Sequence, residues 1–347
     1  MKLTHPTSQD GKNCVCNIIS RSIKYFNPSS QSNRYYIIFG ETELLVTNKE
    51  ILTTASAKGY AVGAFNINNM EILQAVLETA TEEKSPVIVA ASPSAIIYAG
   101  LEYIIAMVKA AAKINPIPMT LHLDHGKDVE IAAKCINGGF TSVMIDGSHL
   151  DYEENISMTK HVVKLARPKG VSVEAELGKL VSPESTAQGT EDPYTDPDVA
   201  KEFVRRTGVD VLAVAIGTSH GAYKFKGVAK LDFERLKAIR NNVSIPLVLH
   251  GASGVPKWIV DKATKYGAEW SGAKGIPDNH IKKAISLGIA KINIDTDLRL
   301  AFTGTVREVL VTSPAVYDPR KIIGPAKETM KEVVKAKMRL FGSSGKA

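Results

Sequence analysis

The sequence predicts an α/β fold in which eight parallel strands, each followed by a helix, close into a (β/α)8 barrel with a helical C-terminal extension. Three observations carry that expectation. Eight short β-rich runs follow one another between Tyr60 and Asp295. Their starts lie roughly 20–45 residues apart, the room a crossover helix needs between parallel neighbours. The runs are almost continuously apolar, as strands covered on both faces must be, yet nearly every one finishes on a polar residue able to do chemistry.

The chain becomes periodic from Glu43, beginning with a helical stretch over 48–58. The first run, 60–66 (YAVGAFN), ends on Asn66, and the second, 87–92 (VIVAAS), on Ser92. The third, 119–126 (MTLHLDHG), brings Asp124 and His125 to its end; the fourth, 142–148 (SVMIDGS), brings Asp146. In the fifth, 171–177 (VSVEAEL), the polar residue near the end is Glu176. The sixth, 211–217 (VLAVAIG), has His220 just beyond it, and the seventh, 246–251 (PLVLHG), reaches His250. The eighth, 291–295 (KINID), offers Asn293 and Asp295. A doubly wound open sheet would want a Gly-x-Gly-x-x-Gly turn after the first strand, and none is present.

The 347 residues suffice for one large domain or two modest ones, and 44% hydrophobic with 23% charged residues excludes a disordered or fibrous chain. No stretch approaches the roughly 18–20 uncharged apolar residues of a membrane-spanning helix. Three cysteines, Cys14, Cys16 and Cys135, are too few and too odd in number for a disulfide framework, which predicts a reducing, cytoplasmic setting. The net charge of +7 is scattered, without a basic run or arginine–aromatic clusters of the kind that bind nucleic acid. A site for small phosphorylated substrates explains the charge as well.

In a closed barrel the polar strand ends converge on one rim, where such folds build active sites. His125, His220 and His250 come from three different runs, and three imidazoles with an open position describe a catalytic Zn²⁺ site. Three histidines satisfied separately by hydrogen bonds remain the alternative, because no local ligand motif such as His-Glu-x-x-His is present. His122 shares a strand face with Asp124 and reads as a structural residue or one behind the ligands. The segments after Gly217, His250 and Asn293 offer Gly, Ser or Thr with backbone N–H groups, as phosphate-cradling loops do. None of the eight runs carries an interior lysine for Schiff-base chemistry, and Lys291 is expected to open the last strand at the end opposite the rim.

Together these segments resemble the class II fructose-bisphosphate aldolase family: GAFNINN (63–69), HLDHG (122–126), SVMIDGSH (142–149), VEAELG (173–178), AIGTSHGAYKFKG (215–227), PLVLHGASG (246–254), KINIDTDLRLAFTG (291–304) and YDPR (317–320). The resemblance implies metal-dependent aldol cleavage of a ketose bisphosphate, with Zn²⁺, or Co²⁺ or Fe²⁺, held by His125, His220 and His250. Glu176 is implied as an alternate metal carboxylate, or as one just behind the ligands, with Asp146 nearby. Asp124 is implied as the acid for the aldehyde oxygen, and Glu184 as the base at C1 of dihydroxyacetone phosphate. Gly221, Lys224, Gly251, Ser253, Asn293 and Thr296 are implied around the dihydroxyacetone-side phosphate. Asn66, Ser92, Asp295 and Arg299 fall where the family handles the sugar chain and the other phosphate. Arg320 matches an arginine that reaches a neighbouring subunit's site, in keeping with a homodimer or homotetramer. A monovalent cation is also allowed.

Two segments depart from the family pattern. Residues 179–185 read KLVSPES, without the usual glycine and second acid, and Ser92-Pro93-Ser94 replaces a Ser-x-Gly. Tagatose-bisphosphate aldolase is the neighbouring reading; Asp295 in Asn293-Ile-Asp-Thr-Asp297 favours fructose over it. A metal-dependent hydrolase barrel would want His-x-His where the first run ends in Phe65-Asn66.

The resemblance begins near Leu44, which divides the chain into an extension, 1–43, and an aldolase domain, 44–347. Residues 1–40 hold five Lys/Arg, six Ser and one acid, Asp10, a composition like that of an organellar transit peptide. The plainer expectation is an extension that is disordered or removed in the working enzyme.

Overall fold

The computed structural model describes residues 45–178, 193–218, 231–270 and 274–347. Glu184, His220, Gly221, Lys224 and the extension lie outside them.

Helix α1 (Asn48–Lys58) occupies the range expected for it. A capping box starts it: Thr47 Oγ1 accepts from the Glu50 amide, and the Glu50 carboxylate accepts from the Thr47 amide. Gly59, at φ 70°, ends it in the left-handed region. Strands and helices then alternate: β1 (Val62–Asn66), α2 (Met70–Glu82), β2 (Val87–Ala91), α3 (Pro93–Ala99), α4 (Leu101–Ala112), β3 (Met119–Gly126), α5 (Val129–Gly138), β4 (Ser142–Ile145), α6 (Tyr152–Ala166) and β5 (Ser172–Leu177). The chain continues through α7 (Pro197–Thr207), β6 (Val211–Val214), α8 (Phe233–Asn242), β7 (Leu247–Leu249), α9 (Lys257–Lys265), α10 (Asp278–Ser286), β8 (Ile289–Ile294), α11 (Thr296–Thr312) and α12 (Pro319–Phe341). No single helix among the described residues is long and apolar enough to cross a membrane.

The eight strands are parallel and pair in chain order; β1 joins β8, with Val62 opposite Lys291 and Phe65 opposite Ile294. Closure removes every sheet edge, so each strand finds partners on both sides. Strand alternation then sorts the side chains into two interiors. Leu121, Leu123, Val173, Ala175, Ile292 and Ile294 point outward into the continuous apolar layer beneath the helices. Val62, Ala64, Ile88, Val211, Ala213 and Val248 point inward and form a smaller cluster with Ala290 of β8 and with Ile51, Leu52 and Ala55 of α1. The C-terminal helix α12 packs on α11 and α2, where Lys327 and Lys331 pair with Glu78.

Two features differ from the sequence reading. β8 begins at Ile289, so Lys291 is a strand-interior residue, fully buried, rather than the residue that opens the strand. The reason is local: Gly288, at φ 108°, makes the turn, and Ile289 already pairs with Leu247. Second, β3 carries a bulge, because Leu123 lies opposite Val143 but Gly126 lies opposite Ile145. Simple alternation would send Asp124 and His125 to opposite faces. The extra residue and the left-handed His125 (φ 50°) bring both to the barrel mouth.

Candidate active site

At the C-terminal rim, His125 from the β3 bulge and His250 just after β7 stand with ring centroids 4.5 Å apart. His250 Nδ1 lies 3.0 Å from Glu176 Oε2, and His125 Nδ1 lies 3.8 Å from the same oxygen. Asp146 takes His125 Nδ1 at 2.8 Å and is itself held by the Ser148 amide and hydroxyl at 3.1 and 2.7 Å. Metal-ligating atoms of Asp124, His125 and His250 fall within 4.8 Å of one another, as do those of His125, Asp146 and Glu176. Imidazole nitrogens mixed with carboxylate oxygens suit Zn²⁺, Co²⁺ or Fe²⁺, so the residues present fit the ion that the sequence reading expects.

The charges are mutually supporting. Burial opposes a charged His250 ring, but Glu176 and Glu174 against its two nitrogens carry its pKa up to about 10. Burial likewise opposes charge on His125, which Asp124, Asp146 and Glu176 still hold above the ordinary histidine range. A metal taking these nitrogens would displace protons. Asp124 is buried, which by itself would raise its carboxyl, but His125, Lys291 and His250 outweigh that and hold it well below the usual carboxylate range.

Asp124 is also gripped by two amides: Asn66 Nδ2 donates to Oδ2 at 2.8 Å and Asn293 Nδ2 donates to Oδ1 at 2.7 Å. Both amide donors therefore point at the carboxylate. Asn66 Oδ1 and Asn293 Oδ1 are left buried without a hydrogen-bond partner among the described residues.

The loop after β7 is a tightly held structure. Gly251 has φ 62°, and Val255, at φ 46°, adopts a conformation costly for a β-branched residue. Asp297, in the first turn of α11, accepts from the Gly254 and Val255 amides at 3.1 and 2.8 Å. Lys337 of α12 approaches the same carboxylate at 3.0 Å, and both side chains are nearly or wholly buried. Ser253 is buried within this loop, while Thr296 begins α11.

The remaining expected residues are more loosely tied to the cluster. Asp295 precedes α11 and pairs with Arg299 at 2.7 Å. Burial raises the Asp295 carboxyl despite the opposing effect of Arg299. Ser92 caps α3, accepting from the Ala95 amide at 3.3 Å, with Pro93 in the first turn; Ser92-Pro93-Ser94 is thus a helix start. Arg320, in the first turn of α12, donates to Asp318 at 3.0 and 2.8 Å and has a side chain 90% exposed. No contact joins Arg320 to the histidine cluster among the described residues. Buried Cys135, its thiol pushed up to about 12 by burial, is chemically inert.

Several buried residues to which the sequence gives no role in the site lie beneath the rim. Glu174 and Lys291 pair inside the barrel, and Asp297 with Lys337 supports the loop after β7. The Glu-x-Glu spacing of Glu174 and Glu176 was a usable signal, since residues two apart in a strand share a face. Lys337 carried no such signal, because only the packing of α12 brings it to the loop.

Comparison with known proteins agrees with this geometry. The family model "Fructose-bisphosphate aldolase class-II" matches residues 46–269 and 270–346. A fructose-bisphosphate aldolase of Thermus caldophilus is 55% identical over 306 residues, covering 88% of this chain and 100% of the relative. One from Helicobacter pylori J99 is 47% identical over 306 residues, covering 87% and 100%. The crystal structure of the YdjI aldolase from Escherichia coli K12 superposes with a TM-score of 0.71 at 37% identity, covering 87% of this chain and 99% of that one. With a barrel rim carrying residues able to hold a metal ion and sequence agreement along the whole domain, the chain belongs to the class II fructose-bisphosphate aldolase family.

Proposed function

We propose that this chain catalyses the reversible, metal-dependent cleavage of fructose 1,6-bisphosphate into dihydroxyacetone phosphate and glyceraldehyde 3-phosphate. The observation that carries the reading is the convergence of His125, His250, Glu176 and Asp124 at one rim. His125 and His250 would hold the metal, with Glu176 as an alternate carboxylate; His220, outside the described residues, is the expected third imidazole. Bound there, Zn²⁺, Co²⁺ or Fe²⁺ supplies Lewis-acid stabilisation of the negative charge that C3–C4 cleavage leaves beside the C2 carbonyl.

The chain's own groups handle the protons and the phosphates. Asp124, ionised and aimed by two amides, is suited to take the C4 hydroxyl proton in cleavage and to return it to the aldehyde oxygen in synthesis. Asn66 Oδ1 and Asn293 Oδ1, buried beside Asp124 with no hydrogen-bond partner among the described residues, suit substrate hydroxyls. The Gly251–Ser253 amides and the start of α11 suit the dihydroxyacetone-side phosphate, together with Gly221 and Lys224 of the undescribed segment. Arg299, and Arg320 from this chain or a neighbour in a homodimer or homotetramer, suit the far phosphate. Glu184 remains the assigned base at C1, and Ser92 and Asp295 line the sugar chain in this reading.

Contrary to the expectation from sequence, β8 does carry an interior lysine, Lys291. Its Nζ is wholly buried and donates to both oxygens of Glu174 at 2.8 Å, so it is not presented to a substrate at the rim. Assay of the purified protein should show both triose phosphates formed from fructose 1,6-bisphosphate. Tagatose bisphosphate should give a lower kcat/KM, and borohydride should trap no lysine adduct. Equal kcat/KM for the two epimers would remove the fructose assignment, and a trapped adduct would remove the metal mechanism.

A further inference from the structure

Beneath the rim lies a row of buried polar groups that the proposed chemistry does not use. Lys291 of β8 and Glu174 of β5 meet inside the barrel, both fully buried, with Nζ 2.8 Å from each carboxylate oxygen. Glu174 Oε1 also lies 3.0 Å from His250 Nε2, the ring nitrogen opposite the one that faces Glu176. On its other side Lys291 Nζ lies 3.2 Å from His122 Nε2. His122 Nδ1 in turn meets Ser142 Oγ at 2.9 Å and the Asn48 amide of α1 at 3.2 Å. Thr120 donates to Asn48 Oδ1 at 2.8 Å, and Asn48's own backbone N–H donates to Ser172 Oγ at 3.1 Å. A continuous set of contacts therefore runs from α1, across the barrel, to the back of a residue expected to hold the metal.

Stability is a poor reason for this arrangement. A buried ion pair costs its desolvation, and well-packed apolar residues of similar volume are often as stabilising or more so. The geometry offers a better one. A glutamate's terminal torsion is broad, so a carboxylate held at one oxygen can swing. The ammonium grips both oxygens of Glu174 and so fixes the plane from which Oε1 meets His250. The partner of an imidazole's second nitrogen sets the tautomer and the direction of the first.

We propose that Lys291 is a positioning residue for the metal site: by clamping Glu174 it fixes the His250 ring with Nε2 as the donor to Glu174 and Nδ1 turned toward the metal donors. The proposal rests on the metal-dependent reading above. His122, Ser142 and Asn48 hold the far side of Lys291, so the clamp is anchored in α1 as well as in the strands.

The test measures metal affinity directly. Zn²⁺ and Co²⁺ dissociation constants are obtained by competition with a chromophoric chelator, and the Co²⁺ visible spectrum is recorded, for wild type, Lys291→Met, Glu174→Gln and the double variant. Lys291→Met, which keeps the stem and removes the ammonium, should weaken both metals by about 10–100-fold and alter the Co²⁺ spectrum. Glu174→Gln should weaken binding over a similar range. In the Glu174→Gln background the lysine change should alter the constants by no more than about twofold, because its effect passes through Glu174. The double variant carries neither charge, so the comparison survives if Lys291→Met alone does not fold. Wild-type metal constants in Glu174→Gln or in folded Lys291→Met, or a full further loss in the double variant, would overturn the proposal. A wild-type protein that takes up neither metal would instead overturn the metal reading on which it rests.

Discussion

The space between strands and helices and the space inside the strands are both sealed from water, yet they are built from opposite chemistry. In β3, Leu121 and Leu123 join the outer apolar layer, while Thr120, His122 and Asp124 face inward. In β5, Val173, Ala175 and Leu177 are outer and Ser172, Glu174 and Glu176 inner; in β8, Ile292 and Ile294 are outer and Lys291 and Asn293 inner. Toward α1 the inward residues Val62, Ala64, Ile88, Ala213 and Val248 are apolar and pack with Ile51, Leu52 and Ala55 of that helix. The outer layer thus specifies that a barrel forms. The polar inner rows specify where charge can be held inside it, at a desolvation cost that the outer layer does not bear.

That contrast can be broken at either layer. The largest expected effect is at the top of the inner row: Asp124→Ala should lower kcat by about 10²–10⁴, the range for a general acid–base group, while a cooperative thermal melt persists. In the outer layer, Phe203→Ala, at a fully buried position on α7, should cost about 3–5 kcal/mol in denaturant unfolding while the folded enzyme keeps its KM and kcat. Between the layers, Asp297→Asn loosens the loop after β7. One charged acceptor for two amides is worth about 1.5–3 kcal/mol, so KM for the bisphosphate and the inhibition constant for inorganic phosphate should each rise about tenfold or more, with a smaller fall in kcat. The smallest effect belongs to the surface: Glu153→Gln, which breaks the exposed pair with Arg206, should leave both the melting temperature and the kinetic constants unchanged.

Much of the fold was legible in the sequence because the outer layer is written in local patterns. Apolar runs, crossover-length spacings and polar run ends are each visible without tertiary information, and α1 falls on its expected residues. The site was legible in part. Asn66, Asp124, His125, Glu176, His250 and Asn293 are joined through contacts at the rim. The β3 bulge was not readable, because alternation alone separates Asp124 from His125. A lysine at the edge of an apolar run reads as a boundary, but Lys291 lies inside β8 because a carboxylate across the barrel lets the strand continue around it. Ser92 turned out to cap a helix, a role its neighbour Pro93 could have signalled. Arg320 is placed by the sequence match alone, since its only described partner is Asp318.

On the proposed function, the inner polar row holds a divalent metal for aldol cleavage. The most direct measurement follows fructose 1,6-bisphosphate cleavage in a single preparation as the metal is stripped with a chelator and Zn²⁺ or Co²⁺ is titrated back. Activity is expected to disappear with the metal and to return in proportion to the metal bound, saturating at one catalytic ion per chain. Full cleavage in excess chelator, in protein shown to retain no metal, would contradict it.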